Sequence, residues 1–493
     1  MVFSSLTFLT CFFPIVLALY FVKGSIRWRN GVLLAASLVF YAWGEPIWIV
    51  AMLASTLVNW VCAGMISVCR GDAAKRGWMI AGVGFAGALL FVFKYTAFFA
   101  NSFLSLFGAE ARVAGLKLPI GISFYTFQII SYTVDVYRGE TPAQRSFARL
   151  LLYVSCFPQL IAGPIVQYSD VAKQIGSRKT TAKDFTRGMQ RFVVGLGKKV
   201  IFANICGLIL RDLPLADAGA MSFGGAWYAG FVYMLQVYFD FSGYSDMAIG
   251  IGRILGFTYK ENFDYPFIAK DVSEYWHRWH ISLSMWFRDY LLYPILRSRG
   301  MRRLSMKKSE RHGRMYYRNL ATMIATTCVW AFTGLWHGAS WNFVLWGLYF
   351  FVILAAEKTI GENRLRRIPT ILRRVGTMLL VILGWNIFYF TDLTQLLQHF
   401  GLLFGLLGAG FSNAQTGIQL VNNLPLLLVC AIGATSVPQN LGNLFGGVCV
   451  QGGKRSGQIV YACVTFAFDA ALLALSTIAL VGSTYNAFLY FRF

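Results

Sequence analysis

Apolar residues fall along this chain in blocks of about 20, separated by short polar clusters, rather than at the spacing of one amphipathic face. The blocks at residues 2–22, 31–50, 51–69, 78–107, 119–137, 192–210 and 223–257 open the series. Those at 375–389, 396–411, 418–434 and 459–481 close it. Backbone polar groups in hydrocarbon must pair within their own segment, so such blocks predict an all-α polytopic membrane protein of about 11 to 13 membrane segments. Gly44-Glu45-Pro46 predicts the turn between the second and third blocks. The block 223–257 is too long for one straight span, and Gly243 within F-D-F-S-G-Y-S-D predicts a break there.

Three stretches do not fit simple alternation. Residues 147–168 are apolar, yet basic residues precede them (Arg138, Arg145) and follow them (Lys173, Arg178, Lys179, Lys183). A single crossing would place one basic loop outside, against the positive-inside tendency, and Pro158 with Gly163-Pro164 interrupts the helix pattern. The stretch is expected to enter and leave by the cytoplasmic face, or to lie along it, the first sign of a cytoplasmic pocket. Residues 271–294 also have basic flanks, as does the run 320–356 between Arg318 and Lys358. Gly334 and Gly338 predict that this last run is two half-helices meeting near residues 336–339, with His337 at the bottom of a re-entry from the cytoplasm.

The chain has 493 residues, 57% hydrophobic and 13% charged, and no polar stretch long enough for a soluble domain. A single membrane domain over 1–493 is expected, with a core at roughly 118–360, N-terminal spans in 1–117 and C-terminal spans in 375–493. Lys23, Arg27 and Arg29 follow the first block, the reverse of a cleaved signal peptide, so that block is expected to span with its N-terminus outside. Net charge is +23, carried in short loops; Lys454 and Arg455 are expected inside. That pattern fits membrane topology and anionic lipid headgroups, and offers no basic face for nucleic acid. The nine cysteines lack regular spacing and read as buried apolar residues. No internal repeat supports a transporter built from inverted halves.

An ionisable side chain inside an apolar run is costly and marks a cavity or partner, which singles out His337. Imidazole titrates nearest neutrality, so His337 is a candidate general base. His280 lies in the other dipping stretch, and Trp276, His280, Ser284 and Arg288 share a face if that stretch is one helix. Trp336, Asn342, Trp276, Ser284 and Arg288 are candidate lining residues for a passage, together with Asp246. Asp240 and Asp246 are read first as hydrogen-bond acceptors holding the 223–257 stretch, and Glu274 with Arg278 as a structural i, i+4 pair. His277 and His280 with His337 present a three-histidine metal alternative, but five histidines in all argue against a metal; no bound cofactor is expected. His312 falls in the most basic loop, 297–314, and His399 at a segment end. That loop is a topological anchor first, and an attractor of an anionic donor second.

Six ordered runs carry a family resemblance: L-P-I-G-I-S-F-Y-T-F-Q (118–128), D-V-Y-R-G (135–139), L-I-A-G-P-I (160–165), Y-F-D-F-S-G-Y-S-D-M-A-I-G (238–250), R-W-H-I-S-L-S-M-W-F-R-D-Y (278–290) and G-L-W-H-G-A-S-W-N-F (334–343). They closely resemble the membrane-bound O-acyltransferase family, in its alginate and polysaccharide O-acetyltransferase branch. The resemblance implies spans around a central tunnel, with the family's characteristic histidine at His337 and a second at His280. It implies acetyl-CoA or another cytoplasmic thioester as acyl donor and a secreted polysaccharide as acceptor. It further implies an extracytoplasmic serine-hydrolase-like partner and residence in the bacterial inner membrane. His277 stands where relatives often carry Arg, and the basic insert after Arg297 departs from the pattern. The tail beyond Lys358 speaks for polysaccharide acetylation over D-alanine transfer to teichoic acid. The rival readings are a transporter or flippase for an acyl carrier or glycan, and a scaffold that leaves both histidines unexplained.

Overall fold

The computed structural model describes residues 1–108, 112–215, 217, 219–307, 313–407, 410–450, 455–482, 485 and 489. His312 and Lys454, named above, lie outside the described residues. Among those described, the chain is helical and without strands. Seven helices are long and apolar enough to cross a membrane: Ile49–Val68, Asp72–Lys94, Ala182–Arg211, Trp341–Ile360, Thr370–Tyr389, Ala414–Gly433 and Arg455–Gly482. Shorter apolar helices occur at Phe8–Val22 and Thr96–Leu106. Val437–Val450 is a further helix that block reading did not expect.

The chain divides into two compact units. The first comprises Met1–Phe192 and Tyr244–Glu261. Its core clusters Phe8, Phe40, Phe157 and Tyr244 around Phe3, with Tyr244 stacked on Phe3 and the others tilted or edge-on to it. Helices Ile49–Val68, Asp72–Lys94 and Ile122–Arg138 meet at Asn59, which accepts from Thr133 Oγ1 at 2.8 Å. A Cβ on Gly82 would lie 2.7 Å from Asn59 Oδ1, which is why the middle helix carries glycine at that contact. The stretch 147–168 is a nine-residue helix Phe147–Ser155, a turn Phe157–Leu160 and irregular backbone to residue 167. At 1.5 Å per residue the helix covers roughly 14 Å, about half of a bilayer's hydrocarbon.

The second unit comprises Val193–Gly243 and Asn262–Phe493. The helix Phe223–Ile254 runs without interruption through Gly243, against the expected break. A Cβ there would lie 2.7 Å from the Gly195 carbonyl oxygen, so this glycine serves close packing of two helices, not a kink. Residues 271–294 hold two separate helices, Val272–Arg278 and Ile281–Phe287, followed by Arg288–Leu292.

The run 320–356 breaks where expected, at residues 338–340, but its limbs are Arg314–His337 and Trp341–Ile360, of 24 and 20 residues. These are full-length helices, not half-helices, and they form a hairpin with His337 at its turn. The limbs touch because Gly334 and Gly347 leave room: a Cβ on Gly334 would strike the Phe343 carbonyl, and one on Gly347 the Trp330 carbonyl. Gly347→Ala should therefore destabilise the protein by about 1–3 kcal/mol, whereas Gly376→Ala, which meets nothing within 4 Å, should be neutral or slightly stabilising. Thermal unfolding in detergent checks the pair, and equal effects would refute the packing argument.

Candidate active site

The Val272–Arg278 helix is held at its start by two carboxylates. Asp271 caps it by accepting from the Glu274 N–H at 2.8 Å. Glu357, on the hairpin's second limb, accepts from the N–H groups of Val272 and Ser273 at 2.7 and 2.9 Å and from Ser273 Oγ at 2.8 Å. Negative charge at a helix N-terminus is favoured, and here it also ties that helix to Trp341–Ile360. The helix ends at Arg278, Trp279 is extended, and His280 takes a left-handed backbone with φ +46°. A non-glycine residue there is strained by about 1–3 kcal/mol, and something must hold it.

Asn262 holds it. Its backbone carbonyl accepts from the Ile281 N–H at 3.0 Å. Its side-chain Oδ1 accepts from the Ser282 N–H at 3.2 Å, from Ser282 Oγ at 2.8 Å and from His280 Nδ1 at 3.0 Å. The Ser282 N–H requires an acceptor opposite it, so the atom facing Nδ1 is oxygen and Nδ1 carries the proton. His280 is 1% exposed, burial pushes its pKa down to about 3, and the ring is neutral. Its Nε2 is then a lone pair, buried without a partner.

Both histidines contact one indole. The His280 ring lies 6.0 Å from Trp336, and the His337 ring 4.8 Å from the same residue. Trp346 and Phe388 stand edge-on to His337 at 5.0 and 5.3 Å, and Phe241 edge-on to His280 at 4.6 Å. Asn342 donates to the carbonyls of Ile387 and Phe388 at 3.3 and 3.2 Å, which fixes helix Thr370–Tyr389 beside the hairpin turn. Trp276 packs edge-on to Trp330, Trp346 and Phe350 at 4.9, 5.5 and 4.9 Å. Four of the expected residues, His280, Trp336, His337 and Asn342, are thus brought to one place, with Trp276 linked to it through Trp346.

Others go elsewhere. The left-handed step at His280 breaks the helix, so Trp276, His280, Ser284 and Arg288 do not form one continuous face. Ser284 and Arg288 are exposed, and Arg288 pairs with Asp289 at 3.0 Å. Asp246, in the first unit, accepts from Arg191 Nε and Nη2 at 3.0 and 2.8 Å, and Arg191 also pairs with Glu261. Asp240 forms a buried pair with Lys199 at 2.5 Å and accepts from the Leu489 N–H at 2.9 Å. His399 is buried and donates from Nε2 to Asn386 Oδ1 at 3.0 Å. His277 borders a cavity of about 720 Å³ with Glu274, Phe351 and Leu354; neither His280 nor His337 is among its lining residues.

Sequence reasoning missed Asn262 and Lys199. Lys199 had a signal, as a cation in the apolar block 192–210; Asn262 sits in a polar loop among many such residues and had none. Removing one charge of the Asp240–Lys199 pair strands the other: Asp240→Leu should cost about 3–5 kcal/mol, and the double variant with Lys199→Met markedly less. Unfolding of the three variants in detergent measures this, and strictly additive losses would contradict it.

A family model described as the membrane-bound O-acyltransferase family matches residues 140–307. The chain is 41% identical over 395 residues to the probable alginate O-acetylase AlgI of Pseudomonas aeruginosa, covering 79% of this chain and 72% of that protein. It is 36% identical over 513 positions to the counterpart in Pseudomonas putida, covering all of both. It is 29% identical over 535 positions to the peptidoglycan O-acetyltransferase of Helicobacter pylori, covering all of this chain and 98% of that one.

Proposed function

This chain belongs to the membrane-bound O-acyltransferase family, a multi-pass membrane O-acyltransferase, and we propose that the group it moves is acetyl. In this reading acetyl-CoA supplies the group from the cytoplasmic side of a bacterial inner membrane. The acceptor is a hydroxyl of a secreted polysaccharide, reached directly or by way of a serine on an extracytoplasmic serine-hydrolase-like partner. Two relatives that align along their whole length, or nearly so, are named for O-acetyl transfer, which supports acetyl over D-alanyl.

The observation that carries the proposal is that both imidazoles contact the ring of Trp336. Transfer needs a base for the hydroxyl proton, a means of placing the thioester, and exclusion of water that would hydrolyse it. His337 is assigned the base. As the acceptor oxygen bonds to the acetyl carbon and the carbon–sulfur bond breaks, the proton passes through that imidazole to the departing thiolate. His280 is assigned to positioning, and the rings of Trp336, Trp346 and Phe388 supply the water-poor wall. The reaction balances as thioester plus alcohol to ester plus thiol.

His337→Ala should reach the membrane folded and lose roughly 10²–10⁴-fold in acetyl transfer. CoA release from acetyl-CoA and the acetyl content of surface polymers, read by mass spectrometry, test it together. Undiminished transfer by the variant removes the mechanism. CoA release by neither protein, with glycan moved nonetheless, would favour a transporter.

A further inference from the structure

The tautomer fixed at His280 limits what that ring can do. With Nδ1–H committed to Asn262 Oδ1, the buried Nε2 has a lone pair and no hydrogen. Such a nitrogen cannot donate to a developing oxyanion; it can only accept. An unpaired buried acceptor is costly, so its natural counterpart is an N–H or O–H brought by a substrate. The rings around His280, Phe241 and Trp336, offer no acidic hydrogen-bond group beyond the indole N–H.

We infer that Asn262 is a positioning residue for acyl transfer, holding His280 so that its Nε2 accepts a hydrogen bond from the cysteamine amide N–H of acetyl-CoA. This rests on the acetyl-CoA reading above. That amide is the first N–H beyond the thioester sulfur, two carbons away. An anchor on it restrains the reacting carbonyl without touching the carbon that reacts. The same bond explains the left-handed backbone at His280: the strain is held by the three donors that converge on Asn262 Oδ1. No proton leaves His280 in this role, and the covalent changes remain those at the thioester and the hydroxyl.

The experiment compares two small donors, S-acetyl-N-acetylcysteamine and its analogue with the amide N–H replaced by an ester oxygen. Thiol release is followed with alginate oligosaccharide as acceptor and the full-length protein in liposomes. The wild type should use the amide at least about tenfold better in kcat/KM, with most of the difference in KM. Asn262→Leu should erase that preference. Asn262→Asp, which keeps an oxygen opposite Nδ1 and the Ser282 N–H, should retain it. Equal use of amide and ester by the wild type overturns the inference whether or not Asn262→Leu folds, as does a retained preference in a folded Asn262→Leu. Absence of transfer from acetyl-CoA by the wild type overturns instead the reading on which this one stands.

Discussion

One side-chain oxygen organises the backbone and the ring at His280. Asn262 Oδ1 takes hydrogen bonds from His280 Nδ1, the Ser282 N–H and Ser282 Oγ. Those bonds hold a left-handed residue between two short helices, set the neutral ring's tautomer, and leave its other nitrogen open. Burying an imidazole normally wastes it, because the ring either binds both nitrogens to the core or brings in water. Here one nitrogen is tied and the other is kept, which is the condition for a buried histidine to meet a substrate.

The second imidazole reaches the same place by a different device. His337 ends a 24-residue helix and sits at the turn of a hairpin whose limbs are pressed together at glycines. Close limbs put Trp346 beside the ring with its neighbour Trp336, and Asn342 anchors the adjacent helix, which carries Phe388, through two carbonyls. Glu357, on the hairpin's second limb, caps the helix that precedes His280, so one element sets the approach of both histidines. Two cations away from this place are neutralised locally: Lys199 by Asp240, and Arg191 by Asp246 and Glu261.

Much of this was legible in the residues. Apolar block length gave the helical membrane class, and the cost of an imidazole in hydrocarbon singled out His337 before any geometry. The interruption expected from Pro158 and Gly163-Pro164 is present, as a nine-residue helix followed by a turn and irregular backbone. Two failures share one cause, which is that glycine was read for its flexibility. Gly243 lies in an unbroken helix and the limbs around Gly338 are full length, because these glycines make room for a neighbouring backbone or ring, a contact distant in sequence. The single helical face through Trp276, His280, Ser284 and Arg288 failed for the complementary reason: its break depends on Asn262, 18 residues upstream of His280.

If His280 and His337 serve one transfer event, their contributions are not independent. The direct measurement is a double-mutant cycle on acetyl transfer with His280→Ala, His337→Ala and the two combined. The account predicts that the double variant is scarcely slower than the slower single one, since either loss already dismantles the same step. Losses that multiply across the cycle would mean that the two rings act apart, and would contradict it.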